Sequence, residues 1–421
     1  MPSPHQIKIF KKYISRHRID DRIADQDFPE CKIIVVIPAY LEKKYIFNCL
    51  NSLVRSAENV KENIGVIIVV NASEAASDDV VKEQKELFRN LTLFAGENKK
   101  DNISFYPVKE LSVPKKHAGV GYARKTGMDQ AVYMFGKKGD YEGVIVSLDA
   151  DTTVAPNYFA ELQKYFSNRK VSGCSIFFEH PLSGEEKDAI ILYELFLRYY
   201  KNALAFTGFP YAYHTVGSAF ALRADRYVRA GGMPRKQAGE DFYLIQKVVQ
   251  SGGYGELNTT TVYPSPRQSE RVPFGTGPSV RRMMKDRLGY AAYDLGAFVA
   301  LKDFFDKRDK LFGISEKQYE QLLDTLPAGV RDFLKEDGFF TYLTDLNRNC
   351  STAEVLQKRF FELFNAFKVV KYLNFVHERY YDKTDVVEVS LRLLELKHVR
   401  CECEKDPEKV LKVFRALERS S

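Results

Sequence analysis

Along the chain the period of apolar positions switches repeatedly, and the switches lay out alternating strands and helices. Lys32-Ile33-Ile34-Val35-Val36-Ile37-Pro38 is an almost unbroken β-branched run closed by proline. A run without polar alternation predicts a strand buried on both faces, as in a parallel sheet covered by helices. Ile46, Cys49, Leu50 and Leu53 then recur at helical spacing, and residues 66–70 supply a second apolar run, so the unit is strand, helix, strand. Further strands are predicted over 103–106 and 143–148 and near 174–178, 215–222 and 254–263, with helices over 121–135 and after Gly239. The alternation over 32–278 predicts one α/β domain with a doubly wound, mostly parallel sheet, mixed in its second half. Beyond 280 the strand signal disappears, and segments such as 353–374 and 386–396 repeat apolar residues at three and four. The expected organisation is a polar arm or helix over 1–30, the α/β domain over 31–279 and a helical C-terminal extension over 280–421.

Composition changes this picture little. With 45% hydrophobic and 28% charged residues in 421, the chain is an ordinary globular one, long enough for two domains. The net charge of +7 is spread among interspersed acids and bases, which suits a phosphate-bearing ligand and makes no demand for nucleic acid. Lys8, Lys11, Lys12, Arg16 and Arg18 form the densest basic stretch, read as a solvated helix face. Six scattered cysteines and the absence of a charged-then-apolar leader predict reduced thiols in the cytoplasm, the Cys401 and Cys403 pair included. No stretch reaches the ~18 consecutive apolar residues of a membrane span, which leaves peripheral contact at the inner face of a membrane as the only membrane role expected.

Asp149-Ala150-Asp151 carries the most chemistry. Residues two apart in an extended chain point to the same side, so two carboxylates emerge together where the strand over 143–148 ends. Ligands of open α/β sheets bind at those ends, and Mg²⁺ or Mn²⁺ takes one or two carboxylates, completing its shell with water and substrate phosphates. Loop acids capping a helix are the bland alternative; delivery by a buried strand weighs against it. Gly239-Glu240-Asp241 opens a helix whose apolar positions are Phe242, Leu244, Ile245 and Val248. Acids there serve the helix dipole, or accept a proton from a reacting hydroxyl, with Asp241 first and Glu240 as a second acceptor-facing acid. The Pro- and Gly-rich segment 264–277 carries Arg267 and Arg271, four apart, able to meet phosphate oxygens or to solubilise a loop. His214 is either a third metal ligand or a packed histidine.

These pieces, in order, resemble glycosyltransferase family 2 of the GT-A fold: Val35-Val36-Ile37-Pro38-Ala39-Tyr40, Val69-Val70-Asn71, Ala123-Arg124-Lys125, Asp149-Ala150-Asp151, Gly217-Ser218-Ala219-Phe220, Gly231-Gly232 and Gly239-Glu240-Asp241. The resemblance implies that Pro38, Ala39, Tyr40 and Glu42 hold the nucleotide base and ribose, with Asn71 at the end of the second strand. Asn71-Ala72-Ser73 departs from the acidic runs that many members carry there. By the same resemblance Arg124 faces the nucleotide, Asp149 and Asp151 are ribose and metal ligands, and Asp241 is the base of an inverting transfer. The expected cofactor is Mg²⁺ or Mn²⁺ and the expected donor a UDP-sugar first, a GDP-sugar second. The acceptor is expected to be a glycan, a lipid-linked molecule or a small molecule, in glycan or polysaccharide biosynthesis. Two other readings stay open: a non-catalytic nucleotide-sugar or glycan-binding module, and a sugar nucleotidyltransferase. The second lacks its usual Gly-rich loop, because Pro38-Ala39-Tyr40-Leu41-Glu42 follows the first strand.

Overall fold

The computed structural model describes residues 3–23, 28–58, 60–98, 102–236, 239–268, 275–286 and 289–420, gathered into two compact units. The first unit comprises residues 1–183, 215–278 and 418–421. Its elements run α1 (Pro4–His17), β1 (Cys31–Ala39), α2 (Ile46–Ala57), β2 (Asn63–Ser73), α3 (Asp78–Glu97), β3 (Ile103–Val113), α4 (Val120–Lys138), β4 (Val144–Ser147), β5 (Thr153–Val154), α5 (Tyr158–Phe166) and β6 (Gly173–Phe178). The chain then passes through α6 (Lys187–Phe206) and returns as β7 (Phe220–Arg223), α7 (Ala224–Arg229), α8 (Glu240–Val249) and β8 (Tyr254–Tyr263).

The sheet order is β3-β2-β1-β4-β7-β6-β8-β5. The half β3-β2-β1-β4 is parallel throughout, whereas β7 is antiparallel to both β4 and β6 and β5 is antiparallel to β8. The switch to mixed pairing therefore falls where the sequence places it. Because β2 and β4 flank β1 on opposite sides, right-handed crossovers put α2 and α3 on one face and α4 on the other. The place where the winding reverses, between β1 and β4, is where ligands of such sheets bind, outside the carboxyl ends of the strands.

α4 is unusually buried, and its charged residues are correspondingly paired. Asp129 accepts hydrogen bonds from the hydroxyls of Tyr13 at 2.7 Å and Tyr227 at 2.8 Å, and its other oxygen lies 2.9 Å from Lys125 Nζ. This cluster docks α1 through Tyr13, while Lys8, Lys11, Lys12, Arg16 and Arg18 are exposed. On its sheet side, α4 approaches β1 through Gly127, where a Cβ would overlap Val36 Cγ1 and lie 3.2 Å from Val69 Cγ2.

Among the described residues, the second unit, residues 184–214 and 279–417, is helical apart from one short pairing of Ala291–Ala292 with Thr384–Asp385. It takes α6 out of the stretch from which the sequence predicts one continuous α/β domain. The reason lies in what α6 buries: it packs against the helices Leu295–Asp306 and Val386–Leu396, with Glu194 and Arg198 fully buried on it. Arg198 Nε donates to Glu194 Oε1 at 2.9 Å, and Arg415 reaches both Glu194 oxygens at 2.8 and 2.7 Å, so the buried charges are paired. Phe304, Phe339, Phe360 and Phe364 form the aromatic core. The apolar repeat over 353–374 is two helices, Ala353–Leu363 and Ala366–Arg379, because the Asn365 side chain accepts from the Phe367 and Lys368 N–H groups and starts a new one.

The Cys401 and Cys403 sulfurs lie side by side, their Cα atoms 5.3 Å apart across one intervening residue, within the reach of a disulfide. The other four cysteines are free and buried. No helix of the described residues is long and apolar enough to cross a membrane.

Filling the contact between α4 and β1 is expected to cost more than the added helix propensity returns. Gly127→Ala should lower unfolding free energy by about 1–3 kcal/mol in a urea titration; an unchanged or raised midpoint would show that Val36 and Val69 can yield.

Candidate functional site

At the switch point one guanidinium ties four segments together. Arg124, from the first turns of α4, donates from Nε to Glu240 Oε1 at 2.8 Å, from Nη1 to Ser147 Oγ and the Gly217 carbonyl, both at 2.7 Å, and from Nη2 to Asp149 Oδ1 at 2.7 Å. Ser147 Oγ also donates to the Gly217 carbonyl at 2.7 Å. Gly217 is required for this approach, since a Cβ there would lie 2.6 Å from Arg124 Nη2 and 3.0 Å from Asp241 Oδ2. Burial pulls the Arg124 pKa down, but Asp149, Glu240 and Asp241 more than offset it and hold the guanidinium charged.

Glu240 and Asp241 begin α8 immediately after Gly239, whose φ of 73° turns the chain in the left-handed region that glycine adopts freely. The two acids part company there. Glu240, expected from sequence to face the acceptor, is buried beneath Arg124 with a side chain 3% exposed and is paired with its guanidinium. Asp241 is half-buried, and its Oδ1 accepts from the Phe242 N–H at 2.7 Å. Burial and the neighbouring Glu240 push its pKa from 3.8 to about 7, against the opposing pull of Arg124 and the Phe242 N–H.

A second arginine closes the other side. Arg267, in the loop after β8, donates from Nε to Asp151 Oδ2 at 2.6 Å and from Nη2 to both Glu42 oxygens at 2.7 and 2.9 Å. Its guanidinium carbon lies 4.3 Å from the ring centroid of Tyr45. Burial lowers the Arg267 pKa, but Asp151 and Glu42 outweigh it and keep the arginine charged. The Asp151 and Arg267 side chains keep nearly a fifth of their surface exposed, against 4% for Arg124.

The structure thus brings Arg124, Asp149, Glu240 and Asp241 into one cluster, and Glu42, Asp151 and Arg267 into another. Pro38 and Ala39 end β1, Tyr40 begins the turn after it, and Asn71 lies buried near the end of β2. His214 is a buried residue of the second unit, and among the described residues no three His, Cys, Asp or Glu side chains gather to hold a metal. Arg271 lies outside the described residues. Ser147 and Tyr45 were missed, because a serine inside an apolar strand and a tyrosine beside lysines carry no signal of their own. Cys49, read only as an apolar helix position, points its Sγ at the Asp149 carbonyl, 3.7 Å away.

An open, mixed sheet with a switch point between β1 and β4, and two acids in the turn after β4, is a doubly wound α/β fold. Residues 34–227 match the family model described as Glycosyl transferase family 2, which bears out the resemblance over that span. Among solved structures, S. aureus TarS 1-349 in complex with UDP-GlcNAc is 14% identical, with 93% of this chain and 92% of that one covered at a TM-score of 0.39. A Pyrobaculum calidifontis mannosyltransferase in complex with GDP-Man and Mn²⁺ is 13% identical, with coverage of 99% and 96% and a TM-score of 0.35. M. tuberculosis glucosyl-3-phosphoglycerate synthase with Mn²⁺, UDP-Glc and glycerol 3-phosphate is also 13% identical, with coverage of 65% and 80% and a TM-score of 0.34. No curated protein matches the chain.

The raised pKa of Asp241 makes stability depend on pH in a definite direction. Near pH 4 the folded chain holds this carboxyl protonated; as pH rises toward 7 the unfolded chain releases the proton first, and the folded state loses stability. Asp241→Asn, which carries no charge beside Glu240 and Asp149, is expected to stabilise the metal-free protein by on the order of 1–2 kcal/mol at about pH 8 and to be near neutral at about pH 4. Urea unfolding at both pH values checks this, and an equal effect at the two would contradict it.

Proposed function

We propose that this chain transfers a sugar from a nucleoside-diphosphate donor to an acceptor hydroxyl in one inverting displacement, with Asp241 as the base. The observation that carries the reading is the contrast between two adjacent acids: Glu240 is buried in an ion pair with Arg124, while Asp241 is half-buried, with burial beside Glu240 raising its pKa. A carboxylate poised there can take a proton from an alcohol as attack proceeds, and perturbed acids of this kind cluster at functional sites. The match of residues 34–227 to glycosyl transferase family 2 supports the same reading.

In the proposed reaction the acceptor oxygen attacks the anomeric carbon, Asp241 takes the hydroxyl proton, and the bond from that carbon to the diphosphate oxygen breaks. No covalent enzyme intermediate is formed. Arg267 exchanges its contact to the partly exposed Asp151 for the donor's diphosphate and keeps buried Glu42 paired. Asp149 and Asp151 would hold Mg²⁺ or Mn²⁺ through hard carboxylate oxygens. When bound, the cation supplies Lewis-acid stabilisation of the departing diphosphate. Arg124, Glu240 and Ser147 act by holding Asp149 in place. UDP-sugars are the first donors to test and GDP-sugars the second, with glycan, lipid-linked and small-molecule acceptors in the panel.

A nucleotidyltransferase is disfavoured, because the chain leaves β1 through Leu41 at a φ of 55° and not through a glycine-rich phosphate loop.

Turnover and nucleotide release, measured across the donor panel with Mn²⁺ or Mg²⁺, test the proposal. Asp241→Asn is expected to lower kcat by roughly 10²–10⁴-fold while donor binding persists, and wild-type kcat/KM should fall below about pH 7 as Asp241 becomes protonated. Full activity in Asp241→Asn would remove Asp241 as the base. Arg267→Ala is expected to raise donor KM about tenfold, and an unchanged KM would place Arg267 away from the diphosphate. Asp151→Ala should abolish metal-dependent thermal stabilisation by the donor. The anomeric configuration of the product, read by NMR, decides inversion.

A further inference from the structure

The carboxyl ends of β1 and β2 are tied together by one side chain that belongs to none of the motifs above. Gln84, on α3, is fully buried. Its Nε2 donates to the Ala39 carbonyl at 3.0 Å and to the Asn71 carbonyl at 2.7 Å, and its Oε1 accepts from the Leu41 N–H at 3.1 Å. Two carbonyls that need donors and one N–H that needs an acceptor define a primary amide in a single orientation. A carboxylate would turn acceptors toward two carbonyls, and an apolar chain of the same length would abandon all three backbone groups.

The Leu41 contact explains a second observation. Leu41 has a φ of 55°, in the left-handed region that a branched residue occupies only where its surroundings hold it. Strain of this kind persists when the structure around it over-determines the conformation, and it gathers at ligand-facing turns. This turn leads from Ala39 at the end of β1 into Glu42, beside the switch point where ligands of open α/β sheets bind.

We infer that Gln84 is the positioning residue for the nucleotide half of the donor. By fixing the turn from Ala39 to Glu42 against Asn71, it sets the shape that the base and ribose meet, and with it the discrimination among nucleoside diphosphates. The inference rests on the glycosyltransferase reading of the same site.

The test is isothermal titration of the full chain with UDP and GDP in the presence of Mn²⁺, followed by donor kinetics. Wild-type protein that binds neither nucleotide overturns the transferase reading itself. Given wild-type binding, Gln84→Glu and Gln84→Met are each expected to weaken the preferred nucleotide about tenfold and to narrow the ratio between the two. In turnover the loss should sit in donor KM, with kcat within about twofold of wild type. A side chain that only stabilises the fold would lower the melting temperature and leave KM and base preference unmoved. Folded variants with unchanged affinity and ratio, or with a loss confined to kcat, overturn the inference. If neither variant folds, Gln84→Asn decides: an amide one methylene shorter, withdrawn from the Ala39, Leu41 and Asn71 backbone groups, is expected to weaken the preferred nucleotide and narrow the ratio, and unchanged binding overturns the inference.

Discussion

A buried guanidinium has to be fully partnered, and the site is built around meeting that demand for Arg124. Removing an ion from water costs several kcal/mol even after relaxation, so Arg124 persists on a buried helix only because Glu240, Asp149, Ser147 and the Gly217 carbonyl all face it. Those partners come from α8, the end of β4 and the segment before β7. Satisfying one cation therefore fixes the relative placement of three elements that are far apart in sequence. The planar fork of arginine makes this possible, because lysine would offer a point charge without the divergent donors that reach four groups at once.

Exposure separates the two arginines of the site. Arg124 is sealed in, and its contacts are part of the fold. Arg267 also bridges acids, but it and Asp151 keep nearly a fifth of their side-chain surface exposed, while its other partner, Glu42, is buried. The same cation chemistry is thus sealed from water in one place and partly open to it in the other. Asp241 stands beside the permanent pair, and its raised pKa follows from burial next to Glu240, whose charge is directed at Arg124.

The same logic extends away from the site. Asp129 is tolerated inside α4 because Tyr13, Tyr227 and Lys125 converge on it, and Glu194 inside the second unit because Arg198 and Arg415 do. In each case the polar group joins segments that share no local sequence, so burial of charge acts as a statement about which segments meet. Gln84 does the same for the ends of β1 and β2 with a neutral amide.

The sequence alone determined the strands and much of the site's inventory. The β-branched run at β1, the apolar run at β2 and the strand before Asp149 are legible because burial on both faces excludes polar residues locally. Asp149, Asp151, Asp241 and Arg267 were legible as residue types matched to a chemistry. Several things were decided only by tertiary structure. Glu240 and Asp241 are adjacent and alike in sequence, and only the approach of Arg124 from a helix more than a hundred residues away makes one a support and leaves the other free to titrate. The helix carrying Gln84 was not read from the chain, although Gln84, Leu87 and Leu91 share its buried stripe, because a polar residue there breaks the apolar pattern. α6 was absorbed into the wrong unit, since local periodicity reports that a face is buried but not what it is buried against. Strand formation is a local consequence of composition, whereas the identity of a partner depends on the path of the chain.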